Sequence, residues 1–187
     1  MAASKLDPGT ALIVVDLQKA VASLPTVRPF ADVVDHAARL AEAFRAHDLP
    51  VVLVNVVGTA PGRTEQSRPR GSLPPDWAEL LPELNQQPRD HLVSKKTWGA
   101  FTGTGLDDYL RSAGVTHVVI CGVATSVGVE STARQAHELG FNVTLAVDAM
   151  TDLSLDAHDN SVERIFPRLG ETGTTRDIIE LLSTRGA

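Results

Sequence analysis

The chain has 187 residues and a mass of 19.9 kDa, with 43% hydrophobic and 21% charged residues, which suits one globular domain with a buried core. The formal net charge of −6 argues against nucleic acid as the main partner, because phosphate binding needs clustered lysine and arginine. The one cysteine excludes an intrachain disulfide, and no apolar run approaches the roughly 20 residues that span a bilayer. We therefore expect a single cytoplasmic domain, residues 1–187, without a membrane partner.

Strand-like apolar runs alternate with helical patterns along the chain. Runs that are apolar on both faces are typical of central strands in a parallel sheet, and they occur at residues 11–17, 51–57, 93–94, 117–122 and 143–147. Apolar residues at helical spacing predict helices at residues 30–47, 106–113, 126–139, 157–169 and 175–182. The alternation predicts an α/β fold, namely a three-layer α/β/α sandwich with a mainly parallel, doubly wound, Rossmann-like sheet.

The connection over residues 58–90 is long and rich in proline, glycine, arginine and glutamine. A connection of this length within a compact domain is usually a functional lid or a disordered excursion. Its run 63–70 carries three arginines. We interpret this run as a surface loop, with capture of an anion near the functional site as the alternative.

Residues that can carry chemistry follow three of the predicted strands. Asp16 ends the first strand, Lys95 and Lys96 follow the third, and a turn at residues 122–128 follows the fourth. In open parallel sheets, ligands bind beyond the carboxyl ends of the strands. The topology therefore predicts that a carboxylate, an ammonium group and a backbone turn meet at one edge of the sheet.

The protonation state of Asp16 depends on two opposing effects. Burial after an apolar strand raises the pKa of a carboxyl group, whereas a neighbouring lysine keeps it ionised, and the residues alone leave the balance open. The alternative to a functional role is that Asp16 is simply a helix cap or an acid at the surface. Adjacent strand residues point to opposite faces, so only one of Lys95 and Lys96 enters a pocket. Trp98 and the small residues beside it favour a pocket wall over a solvent loop.

Three segments match the motifs of a known family, in the same order. They are residues 16–18 (DLQ), residues 95–106 (KKTWGAFTGTGL), and residues 122–125 (GVAT) followed by residues 129–133 (VESTA). The first resembles the family's Asp-x-Gln, the second its lysine motif and the third its nucleophile motif. The chain is thus similar to the isochorismatase-like hydrolases, which include nicotinamidases, carbamoylsarcosine amidases and true isochorismatases.

The resemblance implies a role for several individual residues. It makes Asp16 and Lys95 catalytic, with Lys95 preferred to Lys96 by the register of the motif, and it places Gly128 where relatives carry a cysteine nucleophile. Substrate contacts are implied for Gln18, Trp98, Ala124 and Thr125.

The resemblance also implies features of the backbone and of the assembly. A cis peptide is expected at Val123–Ala124, aiming the backbone amides of Ala124 and Gly128 at an oxyanion hole. A homodimer or higher homo-oligomer is expected as well. The apolar helix face around Val129 and Ala133 is a candidate interface, and packing of this face on the sheet is the alternative that we favour.

Two departures from the family pattern restrict the chemistry. Gly128 has no side chain, so a covalent thioester route is closed, and Cys121 is interpreted as a buried core thiol within the preceding strand. Nicotinamidases bear an Asp-x-His-x-x-His metal site after the second strand, but this chain has no histidine between His47 and His91. The six histidines show no ligand spacing and are interpreted as incidental, so neither a metal nor a cofactor is expected.

True isochorismatases also place glycine at the nucleophile position and cleave an enol ether without a covalent intermediate. We therefore predict hydrolysis of a small anionic enol ether such as isochorismate, giving a dihydroxydiene acid and pyruvate. This reaction needs an acid (Asp16), a cation that binds carboxylate and steadies the acid (Lys95), and space at Gly128. Two alternatives remain: a non-catalytic binding protein, and hydrolysis of an amide or ester by water with Asp16 as general base.

Overall fold

The computed structural model describes residues 3–65 and 74–184. Part of the arginine-containing run 63–70, including Arg68 and Arg70, lies outside the described residues, and so does the middle of the connection 58–90, for which a lid and a disordered excursion were the alternatives. The described remainder of this connection contains a 3-10 turn, Pro82–Leu84, and an antiparallel bridge between Leu80 and Gln18. The second half of this connection therefore packs against the chain that leaves the first strand.

A six-stranded parallel sheet forms the centre of the molecule. Its strands are β1 (Thr10–Val15), β2 (Val51–Val56), β3 (His91–Lys95), β4 (His117–Val123), β5 (Asn142–Thr151) and β6 (Glu171–Gly173). Their order is β3-β2-β1-β4-β5-β6, so the direction of winding reverses between β1 and β4. Ligands of such sheets bind at this switch point, beyond the carboxyl ends of the strands.

Helices cover both faces of the sheet, as the alternating pattern predicted. They are α1 (Phe30–Ala46), α2 (Leu106–Ser112), α3 (Glu130–Glu138), α4 (Leu155–Asn160), α5 (Phe166–Leu169) and α6 (Thr175–Ser183). Along β1, Leu12 and Val14 face a core shared with α1 and α6, while Ile13 and Val15 face a second core shared with α2 and α3. The alternation of neighbouring strand residues between the two faces produces the three layers.

The structure corrects several predicted element boundaries. The helix predicted at 157–169 is divided by a π-helical turn, Ser161–Ile165, and the one predicted at 126–139 begins with a second such turn, Thr125–Val129. β5 is longer than predicted, and its pairing with β4 shifts register between Ile120 and Gly122. β6 was missed because it has only three residues, Glu-Thr-Gly, at the edge of the sheet.

The helix face around Val129 and Ala133 packs on the sheet. Both side chains are fully buried in the core between α3 and the strands, so the alternative that makes this face a subunit interface is wrong. Among residues 3–65 and 74–184, no helix combines the length and apolar character that crossing a bilayer requires.

Candidate active site

Asp16 lies directly after β1 in a left-handed backbone conformation, with φ of 55°. Such conformations are uncommon for residues other than glycine and concentrate at functional sites. The backbone N–H of Asp16 donates to the Val54 carbonyl, which holds the residue at the end of the sheet. The residue is only 7% exposed, so its carboxyl group is largely removed from water.

The two carboxyl oxygens of Asp16 have different surroundings. Oδ2 accepts a hydrogen bond of 2.7 Å from Lys95 Nζ, whereas Oδ1 is buried without a hydrogen-bond partner among the described residues. Burial raises the pKa of Asp16 to about 6, against the lowering effect of the Lys95 charge and hydrogen bond. The effect of burial on the pKa of Asp16 is therefore larger than the effect of Lys95, a comparison that the sequence left open. Both protonation states of Asp16 are populated near neutrality.

Lys95 is the last residue of β3 and is 2% exposed. Besides Asp16, its Nζ donates to the carbonyls of Trp98 (2.9 Å) and Thr97 (3.2 Å). An ammonium group has three hydrogens, so all of them are directed at protein acceptors. Lys96 is exposed, which leaves Lys95 as the lysine that contacts Asp16. The arrangement fits the expected steadying of the acid, but it leaves Lys95 no free hydrogen for a substrate carboxylate.

Gly128 is buried in the π-helical turn that follows β4. A Cβ atom at this position would lie 3.0 Å from Val15 Cγ1, 3.1 Å from the Val123 carbonyl oxygen and 3.2 Å from Asp16 Oδ2. All three contacts are tighter than ordinary van der Waals packing. A side chain at position 128 would therefore press against the Asp16 carboxyl group. The peptide bond Val123–Ala124, just before this turn, is cis, as the resemblance implied.

Gln18, expected to bind substrate, uses its amide within the protein. Its Oε1 accepts from the Val56 N–H (2.8 Å), and its Nε2 donates to the carbonyls of Val56 (3.1 Å) and Trp77 (3.3 Å). The side chain is fully buried and joins the end of β2 to the described part of the long connection. Gln18 thus borders the site by holding two backbone segments beside Asp16.

Thr125 lies at the start of the turn and is fully buried. Its hydroxyl forms a 2.8 Å hydrogen bond with Nδ1 of His158 in α4. His158 is 1% exposed and its Nε2 has no partner among the described residues, so this histidine is part of the packed interior beside the turn, and its interpretation as incidental to function stays a prediction. Burial lowers the pKa of His158, which favours the neutral ring. No spacing in the sequence pairs these two residues, because the contact joins separate helical segments.

Asp152 is a second residue that the sequence did not single out. It follows β5 and is 4% exposed, and its Oδ2 accepts a 2.7 Å hydrogen bond from the Ser126 N–H at the start of the turn. A carboxylate at the amino end of a helical segment satisfies an otherwise free backbone donor. Asp152 therefore fastens the turn that carries Gly128 to the end of β5.

Trp98 and Ala124 lie at the margin of the site. Trp98 is 64% exposed, and its backbone carbonyl reaches the site, where it accepts a hydrogen bond from Lys95. A contact between the Trp98 ring and a substrate stays a prediction. Ala124 is partly buried between β4 and the turn. The fully buried Cys121 faces the core on the α1 side, and burial raises the pKa of its thiol, so it does not replace the absent nucleophile.

Metal-ligating side chains are dispersed in the part of the chain that the structure describes. No three of its histidine, cysteine, aspartate and glutamate side chains come close enough together to hold an ion. The chemical groups gathered at the switch point are therefore a carboxyl group of raised pKa, a fixed ammonium group and a backbone turn without a side chain at Gly128.

Comparisons with known proteins show the family to which this chain belongs. The model of the isochorismatase domain matches residues 10–177, and the chain belongs to the isochorismatase family. An uncharacterized isochorismatase family protein of Bacillus subtilis, YwoC, is 39% identical over 91% of this chain and 93% of its own length. The solved structure of an isochorismatase family protein from Burkholderia thailandensis has a TM-score of 0.92 and 41% identity, covering 96% of this chain and 98% of that one.

Two relatives carry the name of a hydrolase activity. A ureidoacrylate amidohydrolase, RutB, of Pseudomonas syringae is 32% identical over 78% of this chain and 72% of its own length. A streptothricin hydrolase of Streptomyces noursei is 38% identical over 79% of this chain and 51% of its own length.

Proposed function

We propose that this chain is a hydrolase that works without a cysteine nucleophile, a metal or a cofactor, and that Asp16 is its acid catalyst. The substrate class we propose is a small anionic enol ether such as isochorismate. The observation that carries the proposal is the state of Asp16: its pKa is about 6, one oxygen is held by Lys95, and the other is buried without a partner among the described residues. A carboxyl group of this kind is able to donate a proton near neutrality.

The reaction follows from the chemistry of the enol ether. Asp16 transfers its proton to the terminal carbon of the C=C bond, and the positive charge that develops is shared by the neighbouring carbon and the ether oxygen. Water attacks that carbon, and the Asp16 carboxylate accepts a proton from the water. The hemiketal then collapses: its hydroxyl oxygen forms the ketone of pyruvate, the carbon–oxygen bond to the diene acid breaks, and the hydroxyl proton passes to the leaving oxygen, which departs as the alcohol. One water is consumed and Asp16 ends protonated as it began.

The remaining site residues have supporting parts in this proposal. Lys95 holds Asp16 Oδ2 in place. Glycine at position 128 keeps a side chain from pressing on that oxygen, since a Cβ there would lie 3.2 Å from it. Ala124 and Trp98 are proposed to contact the substrate at the turn and at the margin of the site. Thr125, expected there from the resemblance, is fully buried with its hydroxyl bonded to His158, so its proposed part is to support the turn from within. Gln18 acts through the two backbone segments that its amide joins.

A second candidate function is hydrolysis of an amide or ester by direct attack of water. The named activities of RutB and of streptothricin hydrolase favour it. In this reaction the ionised form of Asp16 removes a proton from the attacking water, and the amides of Ala124 and Gly128 are proposed to stabilise the oxyanion. The same carboxyl group then acts as a base and not as an acid.

The deciding experiment incubates the purified protein with isochorismate and follows pyruvate release through a coupled NADH assay. Release that disappears in Asp16→Asn supports acid-catalysed enol-ether hydrolysis. If the wild type releases no pyruvate, isochorismate is not the substrate. Hydrolysis of ureidoacrylate, as an amide substrate, is then measured with the same two proteins. If neither compound is turned over while both wild type and Asp16→Asn bind one of them equally well, the chain is a binding protein.

We propose a homodimer or higher homo-oligomer from the resemblance alone, and a monomer mass by light scattering at micromolar concentration would contradict this. The cytoplasmic location is proposed from the composition of the chain, above all its one cysteine.

A further inference from the structure

Thr132, in the first turn of α3, forms two hydrogen bonds to different parts of the chain. Its hydroxyl donates to the Gly128 carbonyl (2.7 Å) and accepts from the Ala100 N–H (3.1 Å), and all of this lies in the interior, because Thr132 and Ala100 are fully buried. The bond to Gly128 is the local i−4 bond that threonine often makes in a helix. The bond to Ala100 is not local, because it joins α3 to the loop that follows β3.

Each partner of Thr132 belongs to one half of the candidate active site. Ala100 belongs to the loop of residues 96–105 between β3 and α2, here called the lysine loop, whose Thr97 and Trp98 carbonyls accept the other two hydrogens of Lys95 Nζ. Gly128 is the residue at which a Cβ would lie 3.2 Å from Asp16 Oδ2. The single hydroxyl of Thr132 therefore bridges the segment that orients the ammonium group and the segment that faces the carboxyl group.

Gln135, one turn further along α3, strengthens the same attachment. Its Oε1 accepts from the Phe101 N–H (3.1 Å) and its Nε2 donates to Thr102 Oγ1 (2.7 Å). These contacts lie nearer the surface, since Gln135 is partly exposed. Thr132 is thus the buried attachment point of the lysine loop, and the one in direct contact with the Gly128 turn.

We propose that Thr132 is a positioning residue, which sets the distance between the lysine loop and the Gly128 turn and thereby holds Lys95 against Asp16. The proposal deepens the proposed function and rests on the role given there to Asp16. Thr132 itself touches neither Asp16 nor Lys95 through any hydrogen bond found in the structure, so it acts through the backbone of the two segments.

A positioning role has an electrostatic consequence that a purely structural hydrogen bond lacks. The Lys95 charge and its hydrogen bond are what lower the pKa of Asp16 against the effect of burial. When the lysine loop is detached from α3, its Thr97 and Trp98 carbonyls no longer fix the position of Lys95 Nζ. The ammonium group then stabilises the ionised form of Asp16 less well, so the pKa of Asp16 rises further. A hydroxyl that merely satisfies a buried N–H changes the stability of the protein and leaves this pKa unchanged.

The experiment compares Thr132→Val, which keeps the shape but removes the hydroxyl, with Thr132→Ser, which keeps the hydroxyl. The pKa of Asp16 is measured by carbon-13 NMR of its carboxyl group, assigned by the loss of its signal in Asp16→Asn. We expect a rise of about half a pKa unit or more in Thr132→Val and no resolvable change in Thr132→Ser. Turnover should fall by about tenfold or more in kcat in Thr132→Val with KM changed much less.

The matched control is Thr10→Val. Thr10 is also fully buried, and its hydroxyl donates to the Asp7 carbonyl at the opposite end of β1 from Asp16. An unchanged pKa of Asp16 in Thr132→Val, or an equal rise in Thr10→Val, overturns the proposal. Because the NMR titration needs no substrate, it decides on Thr132 even if isochorismate and ureidoacrylate are both rejected and the proposed function fails.

A third measurement covers the case in which Thr132→Val does not fold. In the wild type, the Ala100 amide donates to Thr132 and should be strongly protected from hydrogen exchange, at the level of the α3 amides. Exchange as fast as that of exposed loop amides overturns the proposal without any variant.

Discussion

Asp16 Oδ2 and Lys95 Nζ lie 2.7 Å apart, although 79 positions separate the two residues in the chain. Their strands are not neighbours, since β2 lies between β1 and β3, and the lysine side chain reaches across the end of β2. The side chains of Asp16 and Lys95 are 10% and 2% exposed. The pair is therefore shielded from water, and the carboxyl group keeps a raised pKa even beside a positive charge.

The pH dependence of turnover should tell whether Asp16 is an acid or a base. If Asp16 donates a proton, kcat/KM is constant below pH about 6 and falls roughly tenfold per pH unit above it, because the protonated fraction of Asp16 declines. If Asp16 removes a proton from water, kcat/KM instead rises with pH up to about 6 and is constant above. Steady-state kinetics from pH 5 to about 8 distinguish these profiles, and a profile without an inflection in this range would contradict both roles.

Lys95→Met should abolish most of the activity, while Lys96→Met should not. Removing the buried ammonium group takes away the hydrogen bond that holds Asp16 Oδ2, so we expect kcat/KM to fall by about 100-fold or more. The same change removes the charge that lowers the pKa of Asp16, so any residual activity should show its inflection above pH 6. The matched control is the exposed neighbour Lys96, whose replacement should change kcat/KM by less than about threefold. Similar losses in both variants would argue against the assignment.

Gly128→Ala should lower activity because the new methyl group would press against Val15 and the Asp16 carboxyl group. Its Cβ would lie 3.2 Å from Asp16 Oδ2 and 3.0 Å from Val15 Cγ1, so the neighbours must move by a few tenths of an ångström. Overpacking of this kind costs up to about 1–3 kcal/mol of stability. Gly62→Ala is the control, since a Cβ there meets no atom of the described residues within 4 Å. Thermal unfolding and steady-state kinetics check both variants. Full activity in Gly128→Ala would contradict the claim that the site requires glycine at this position.

His158→Gln should change how the free energy of unfolding depends on pH. Burial lowers the pKa of His158 in the folded state, so protons bind preferentially to the unfolded chain as the pH falls below the ordinary histidine value of about 6.5. The wild type therefore loses stability through this residue on acidification, and the variant does not. Glutamine is able to keep a hydrogen bond to Thr125, so the cost at pH 8 should stay below about 2 kcal/mol.

Urea unfolding of wild type and His158→Gln from pH 8 to about 5 checks this expectation. The variant should gain stability relative to the wild type as the pH falls. The contribution of Asp16 has the opposite sign, because a raised folded-state pKa loses stability as the pH rises through about 6, and it cancels in the difference between the two proteins. A difference that stays constant over the whole range would show that His158 does not titrate as described.

The layers of the fold and the edge of the sheet where the site lies could be predicted from the pattern of residues along the chain. Apolar runs separated by helical patterns predict a covered parallel sheet, and parallel strands bring their carboxyl ends to one edge, so Asp16 and Lys95 were expected together. β6 and the π-helical turns could not be predicted, because short edge strands and local changes of helix type leave no periodic pattern in the sequence.

How the site residues are used follows from the folded protein. The raised pKa of Asp16, the three acceptors of Lys95 Nζ and the pairing of Thr125 with His158 depend on which groups meet in the interior. Burial and hydrogen bonding between distant elements arise from three-dimensional packing, and no spacing along the chain encodes them. For the same reason, Gln18 could be predicted at the site from its motif, whereas its engagement with the β2 backbone became visible only in the folded protein.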